Sequence, residues 1–175
     1  MTGLVYVLPP RVAPATDVPA HAGDAEPAAL AALFSALLDG VRATGAEQLV
    51  LVGGLDYSND LSQWRSYRPN DALCNVAPAY HQYDKGCVNK ECWDYRLSKI
   101  KNAYPLITGE IGETDCAHGF LDTYLAWADK NRISYLAWAW NQADCAKFPA
   151  LIQRYDGTPS SFGIGYRDHL LSTSP

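Results

Sequence analysis

A carboxylate closing an apolar run is the first feature of this sequence placed to do chemistry. The run is Leu106-Ile107-Thr108-Gly109-Glu110, and Ile111-Gly112-Glu113 then turns the chain away. On parallel sheets, reactive side chains collect at the C-terminal ends of strands, where a carboxylate can serve as nucleophile or base. The competing reading of Glu110 is a solvated loop acid. His81 and Tyr83 stand two apart in Ala77-Pro78-Ala79-Tyr80-His81-Gln82-Tyr83, so on a strand they share one face near the same end. Such a pair could orient a hydroxyl of a ligand and hold a carboxylate ionised. Trp138 and Trp140 also share a face. Either both line the core, or the outer one, Trp140, forms a wall at the mouth on which a flat polar ligand stacks, and the second arrangement is expected. Other acids at loop positions are Asp56, Asp84, Glu113 and Asp144.

These residues need a scaffold, and the hydrophobic pattern supplies one. Leu4 to Leu8 reads as a short strand, followed by a loop carrying Pro9, Pro10, Pro14 and Pro19. A helix follows, with Asp24 as N-cap, Pro27 in its first turn and Leu30, Leu33, Phe34, Leu37, Leu38 and Val41 at helical spacing, ended by Gly45. Gln48 to Gly54 is too short and too β-branched for a helix and apolar on both faces, as a buried parallel strand is. Further strands are expected over Asn75–Tyr83, Pro105–Glu110 and Ile133–Trp140. Helices are expected near Asn59–Tyr67, Trp93–Asn102 and Ala117–Lys130, the last turning Phe120, Leu121, Tyr124, Leu125 and Ala128 inward. A final helix follows Thr158-Pro159 and holds Tyr166 to Leu171. Strand and helix alternate throughout, the signature of βα units on a parallel sheet.

Composition narrows the function classes. The 175 residues are 48% apolar and 19% charged, enough for one folded domain with a real core. A net charge of -5, with no cluster of Lys and Arg, argues against a nucleic-acid partner. No apolar run approaches the length that spans a bilayer, and the start at Met1 lacks the basic flank of a signal peptide. Neither membrane partner nor export signal is expected from the chain. Five Trp and eleven Tyr against four Phe favour surfaces that stack on sugars, with Trp in the core as the even alternative at each position.

Cys87 and Cys92 flank the short polar loop Val88-Asn89-Lys90-Glu91, which suits a local disulfide; a zinc site is disfavoured because no second ligand pair accompanies them. Cys116 and Cys145 each follow a predicted strand. If those strands are neighbours, a bridge would tie adjacent loops and imply an oxidising compartment. Cys74 is then left free.

Several of these segments together resemble glycoside hydrolase family 5, the cellulase-like enzymes. They are Leu51 to Leu61 (Leu-Val-Gly-Gly-Leu-Asp-Tyr-Ser-Asn-Asp-Leu), Tyr80 to Tyr83, Gly109-Glu110-Ile111-Gly112-Glu113 and Ala137-Trp138-Ala139-Trp140-Asn141, in that order. Arg42 to Ala46, Asp115 to Phe120 and Tyr155 to Pro159 extend the match over roughly residues 28 to 172. The resemblance implies an α/β fold, specifically the C-terminal half of a (β/α)8 TIM-type barrel with about four to five parallel strands. It implies retaining hydrolysis of β-1,4-linked glucan without a cofactor or metal, with Glu110 as nucleophile. His81 and Tyr83 match the family's strand-six pair, whose Tyr bonds the nucleophile, and Trp138 or Trp140 matches its substrate-stacking Trp. The whole of 1–175 is expected to be one domain, with an atypical N-terminal strand and Pro-rich loop over 1–26 and the half barrel over 27–175. With the disulfide pattern, the resemblance also implies secretion.

The departures matter as much. The family's acid/base Glu lies in Asn-Glu-Pro at the end of strand four, and no Asn-Glu-Pro occurs here; the matching place is Leu8-Pro9-Pro10. Ala25-Glu26-Pro27 looks like a displaced copy, but at a helix start Glu26 has a sufficient electrostatic reason to exist. Strands one to three have no counterpart. Three outcomes compete: an enzyme completed by self-association, a non-catalytic glucan-binding remnant, and an inactive fragment. A half barrel with open sheet edges and an inward apolar face, including one set from Leu49 to Gly54, is expected to pair as a dimer.

Overall fold

Val50–Gly53, apolar and buried along its whole length, forms strand β2 at the heart of the protein. A computed structural model describes residues 5–7 and 27–173. β2 lies between β1 (Val5–Val7) and β3 (Val76–Tyr83), and the sheet continues through β4 (Ile107–Gly112) to β5 (Ser134–Ala137). All four pairings are parallel and the spatial order is the chain order, so each helix crosses over to the next strand as in a (β/α) barrel. The structure is thus half of such a barrel.

The helices follow their apolar spacing. Helix α1 (Pro27–Ala43) buries Leu30, Phe34 and Leu38 at four-residue intervals, and Gly45 ends the connection with φ +79°. The Arg42 guanidinium near its end donates to both oxygens of Asp71, at 3.1 and 2.8 Å, and holds that carboxyl down at about 2. Helix α4 (Lys90–Lys101) starts on Asn89, whose side chain accepts from Cys92 N at 2.9 Å, and buries Trp93, Leu97 and Ile100. Helix α5 (Gly119–Lys130) buries Leu121, Tyr124, Leu125 and Ala128 as expected, while Phe120 is only half-buried and Trp127 joins the core instead. Helix α6 (Ser161–Thr173) closes the chain, Ser160 Oγ accepting from Gly163 N at 2.9 Å.

Three expectations need correction. The helix expected near Asn59–Tyr67 is two single turns, α2 (Leu55–Ser58) and α3 (Trp64–Tyr67). Leu55 and Asp60 exchange backbone hydrogen bonds and pinch the chain between them. The strand expected to reach Trp140 stops at Ala137, because Ala139 exchanges backbone hydrogen bonds with Pro149 and Leu151 rather than continuing the ladder; the Trp138–Ala139 peptide is cis. The bare apolar set from Leu49 to Gly54 does not exist either. Val50 and Val52 face the helix-side core, while Leu51 packs with Ala77 and Ala79 on the other face against Leu49 and Ile107. Leu4, Leu8, the loop prolines Pro9, Pro10, Pro14 and Pro19, the expected N-cap Asp24, and Glu26 all lie outside the described residues.

Both expected disulfides are present, Cys87–Cys92 with Cα atoms 5.6 Å apart and Cys116–Cys145 at 4.9 Å, and Cys74 is free and exposed. The second bridge closes a separation of 29 residues, for which chain entropy gives about 3.6 kcal/mol. Reduction is therefore expected to lower the melting temperature by several degrees, more in Cys116→Ser/Cys145→Ser than in the Cys87/Cys92 pair of variants, and calorimetry with and without reductant checks it. Among the described residues, no helix is long and apolar enough to cross a membrane.

Candidate active site

Strand alternation alone would put Glu110 on the wrong face. Ile107 packs with Ala77 and Ala79 on the inner face of the sheet, and a residue three positions later points the opposite way on a regular strand. The register resolves this. Ala79 pairs with Ile107 and Tyr80 with Thr108, but His81 pairs with Glu110, so Gly109 is one extra residue in β4. A bulge of this kind re-aims the side chain that follows it. Glu110 thereby joins His81 and Tyr83, which share the face of Ala77 and Ala79, whereas Thr108 turns outward to bond Tyr124 Oη at 2.6 Å.

The result is a compact cluster at the C-terminal edge of the sheet. Tyr83 Oη donates to Glu110 Oε2 at 2.6 Å, and His81 Nδ1 lies 3.3 Å from the same oxygen. The Glu110 side chain keeps 15% of its exposure and that of His81 6%. Glu110 is reachable from solvent, and its imidazole neighbour is enclosed. Burial pushes the Glu110 carboxyl above its ordinary value, opposed by the hydrogen bond from Tyr83. Burial also drives His81 down to about 4, against a backbone hydrogen bond to Tyr57. His81 is therefore neutral at pH 7. Toward the expectation that the pair holds a carboxylate ionised, the Tyr83 hydroxyl contributes a hydrogen bond and neutral His81 contributes no charge, while burial outweighs that bond.

Gly112 makes the Tyr83 contact possible. A Cβ there would lie 2.7 Å from Tyr83 Cε1 and 2.9 Å from Pro149 Cβ, with no room on either side. Gly112→Ala is expected to displace the Tyr83 ring, break its bond to Glu110 and cost about 1–3 kcal/mol of stability by overpacking. Thermal unfolding and the Tyr83 hydroxyl resonance check it.

Trp138 stands beside this cluster: Ala137 pairs with Ile111, and Trp138 N donates to Ile111 O at 2.9 Å. Trp140 follows two residues later on the loop. Neither ring is in the core, at 42% and 68% exposure, because the strand that would have alternated them ends before both. Of the other acids, Asp84 accepts from Thr114 N and Oγ1, and Glu113 is buried, accepting from the N–H groups of Phe120 and Leu121 at the start of α5. Asp144 pairs with Lys147, and Asp56 is exposed. Half-buried Asp84 and buried Glu113 brace the loops after β3 and β4 around Glu110, a role sequence spacing did not reveal. The Cys116–Cys145 bridge adds a covalent tie from the β4 loop to the β5 loop. A separate depression at the opposite end of β5, lined by Asp129, Arg132 and Tyr135, is not part of this cluster; its Tyr135, Asp129 and His169 bond one another.

Comparison with known proteins places this geometry. A family model described as cellulase, glycosyl hydrolase family 5, matches residues 19–144. Among solved structures, a β-glucanase from Saccharophagus degradans in complex with cellotetraose is similar, at 22% identity and TM-score 0.65 over 85% of this chain and 48% of that one. An endo-β-1,4-glucanase from Xanthomonas axonopodis pv. citri matches at 20% identity and TM-score 0.58, over 82% and 55%. A Thermomonospora fusca β-mannanase, in a mannotriose complex, matches at 23% identity and TM-score 0.62, over 85% and 52%. No match is found among the curated proteins. The chain spans about half the length of the structures it resembles, and at these identities the likeness is one of fold. With a family model matched over more than half of its residues and a strand-end Glu held by Tyr and His, the chain belongs to glycoside hydrolase family 5.

Proposed function

We propose that this chain is a glycoside hydrolase module acting on β-1,4-linked glucan, with Glu110 as nucleophile. The observation that carries the reading is the carboxylate at the C-terminal edge of a half barrel, hydrogen-bonded by Tyr83 at 2.6 Å and flanked by neutral His81. In the proposed reaction one Glu110 oxygen attacks the anomeric carbon and the glycosidic bond breaks. Tyr83 holds the other oxygen in place. Trp138 and Trp140 supply stacking faces for the sugar. The proton for the departing oxygen must come from a second carboxyl about 5–5.5 Å away if the reaction is retaining, and this sequence has no Asn-Glu-Pro to provide it.

Self-association supplies what is missing in this reading. The outer strand β5 carries exposed Ser134 and Leu136, and Leu171 on α6 is 68% exposed. Two copies pairing along such edges would close one barrel and bring the Glu110 of each to a common mouth, as nucleophile and acid if close enough for retention, or as base for an attacking water and acid if further apart. The two disulfides fit an extracellular setting. Light scattering at micromolar concentration is expected to give twice 19.2 kDa; a monodisperse monomer overturns the shared site.

The second reading, a glucan-binding module without catalysis, is favoured by the missing Asn-Glu-Pro alone. Reducing-sugar release from soluble β-glucan, measured beside binding for the wild type and Glu110→Gln, separates the two. Hydrolysis lost in the variant supports the enzyme, binding without hydrolysis supports the module, and neither overturns both.

A further inference from the structure

Gln82 is a polar residue where the pattern of its strand calls for an apolar one. Val76, Pro78, Tyr80 and Gln82 share the face of β3 that packs under the helices, and Gln82 is only 1% exposed. Both ends of its amide are bonded. Tyr80 Oη donates to Gln82 Oε1 at 2.9 Å, and Gln82 Nε2 donates to Tyr83 O at 2.6 Å. Burial raises the Tyr80 phenol, while the charge and side-chain hydrogen bond of Arg96 on α4 oppose the rise. The contacts thus run from α4 through Tyr80 and Gln82 to the backbone of Tyr83. An apolar side chain could fill the same place without the cost of desolvating an amide. What the amide adds is a fixed carbonyl at Tyr83.

That carbonyl sits where small displacements matter. Tyr83 is the last residue of β3, where the ladder ends, and the next residue, Asp84, is held by Thr114, whose N and Oγ1 donate to its carboxylate. The Tyr83 ring runs from there over Gly112, where an added Cβ would lie 2.7 Å from Tyr83 Cε1, and its hydroxyl reaches Glu110 Oε2 at 2.6 Å. Hydrogen bonds between hydroxyl and oxygen span about 2.5–3.0 Å, so a hydroxyl moved away by about 0.5 Å no longer bonds. The ring pivots on its own backbone. A peptide plane fixed by Gln82 therefore fixes where the hydroxyl lands.

We propose that Gln82, itself oriented by Tyr80, is a positioning residue of the Glu110 site: it holds the Tyr83 main chain from the helix side, so that the Tyr83 hydroxyl meets the carboxylate on the opposite face of the sheet. The inference rests on the glycoside-hydrolase reading of Glu110, since it is as a nucleophile that the carboxylate needs this bond. Loss of the Gln82 amide leaves the Tyr83 hydroxyl present but misplaced. Burial then raises Glu110 with less opposition, as it does when the hydroxyl is removed outright. Tyr83 and His81 face this carboxylate from β3, and substitution of Gln82 changes neither of them.

The carboxyl carbon of Glu110, followed by NMR through a pH titration and identified by its absence in Glu110→Gln, tests this without turnover. Gln82→Met, of similar length but without the amide, is expected to move the Glu110 titration upward by about one pH unit, the size of one lost hydrogen bond to a charged group. In Tyr83→Phe the same change should move it no further. A Gln82→Met chain that unfolds more easily but leaves the titration unmoved overturns the proposal, because an amide serving stability alone gives that result. An equal extra shift in Tyr83→Phe overturns it too, and so does a Tyr83→Phe chain whose own titration matches the wild type. If Gln82→Met does not fold, Tyr80→Phe decides, since it keeps the ring packing and releases Gln82 Oε1: an upward shift that vanishes in Tyr83→Phe supports the relay, and no shift overturns it. A wild type that neither cleaves nor binds soluble β-glucan overturns the glycoside reading, and the titration still decides the contact from Gln82 to Tyr83.

Discussion

Once dilution has dissociated the dimer, 2,4-dinitrophenyl β-cellobioside, whose leaving group departs without a proton, is expected to be cleaved by this chain at least about 10³-fold faster than cellotetraose. General acid catalysis is worth 10²–10⁴-fold to a glycoside with a poor leaving group, and the chain carries no Asn-Glu-Pro acid. Glu110 should still attack, because nucleophilic displacement needs only an ionised carboxylate within reach. Without a base to activate water, the covalent glycosyl-enzyme should accumulate. The signature is a burst of one equivalent of dinitrophenolate followed by slow turnover. Azide, an anion that needs no base, should accelerate the slow phase and yield the glycosyl azide. Glu110→Gln should lose the burst completely. Comparable rates on both substrates at concentrations where the chain pairs, lost on dilution, would assign the acid to the second Glu110 of the dimer; comparable rates in the diluted chain as well would place the acid elsewhere in the chain. No burst in the wild type would remove Glu110 from the nucleophile role.

Replacing Tyr83 by Phe should move the acid limb of that reaction upward in pH. Burial raises the Glu110 carboxyl above its ordinary value and the Tyr83 hydrogen bond opposes the rise, so removing the hydroxyl leaves burial unopposed. The nucleophile must be ionised, hence activity is lost as pH falls through the Glu110 titration and is lost earlier in the variant. A hydrogen bond to a charged group is worth about 1.5–3 kcal/mol, which predicts an acid limb moved up by about one to two pH units and a loss of rate that grows as pH falls. An unmoved acid limb with a uniformly lower rate would instead make Tyr83 a group that only positions the carboxylate.

Stability should show a second pH signature, from His81. Its folded-state value of about 4 lies below the ordinary 6.5, so neutral His81 contributes stability that is fully present above 6.5 and is lost as pH falls towards 4. Glu110, raised by burial, works in the opposite sense and favours the folded state as it takes up its proton. The two partly offset one another on acidification. The acid loss attributable to His81 should therefore be steeper in Glu110→Gln than in the wild type, as denaturant midpoints across pH 4–7 will show.

Part of this protein was legible in the order of its residues. The short buried runs Val50 to Gly53 and Val76 to Tyr83, and the four-residue spacing of Leu30, Phe34 and Leu38, report local burial directly, so the alternation of strands and helices follows from periodicity. The bridges followed too, because parallel neighbours bring the Cys116 and Cys145 loops together and a short loop separates Cys87 from Cys92. Glu110 could be singled out as a strand-end acid. What aims it could not. Its face depends on one extra residue, Gly109, in the pairing of β3 with β4, and register between strands is settled by hydrogen bonds from distant segments, not by the pattern within either. The passage of Tyr83 over Gly112 needs Pro149 on the far side, and the left-handed turn at Tyr57 needs Asp60 to pair with Leu55. Trp138 and Trp140 left the alternation of their strand because the loop at Pro149 and Leu151 took over the backbone of Ala139. Sequence determined the elements and the chemistry they carry, through burial and period. Tertiary structure decided which faces meet, because pairing partners far along the chain compete for the same backbone groups.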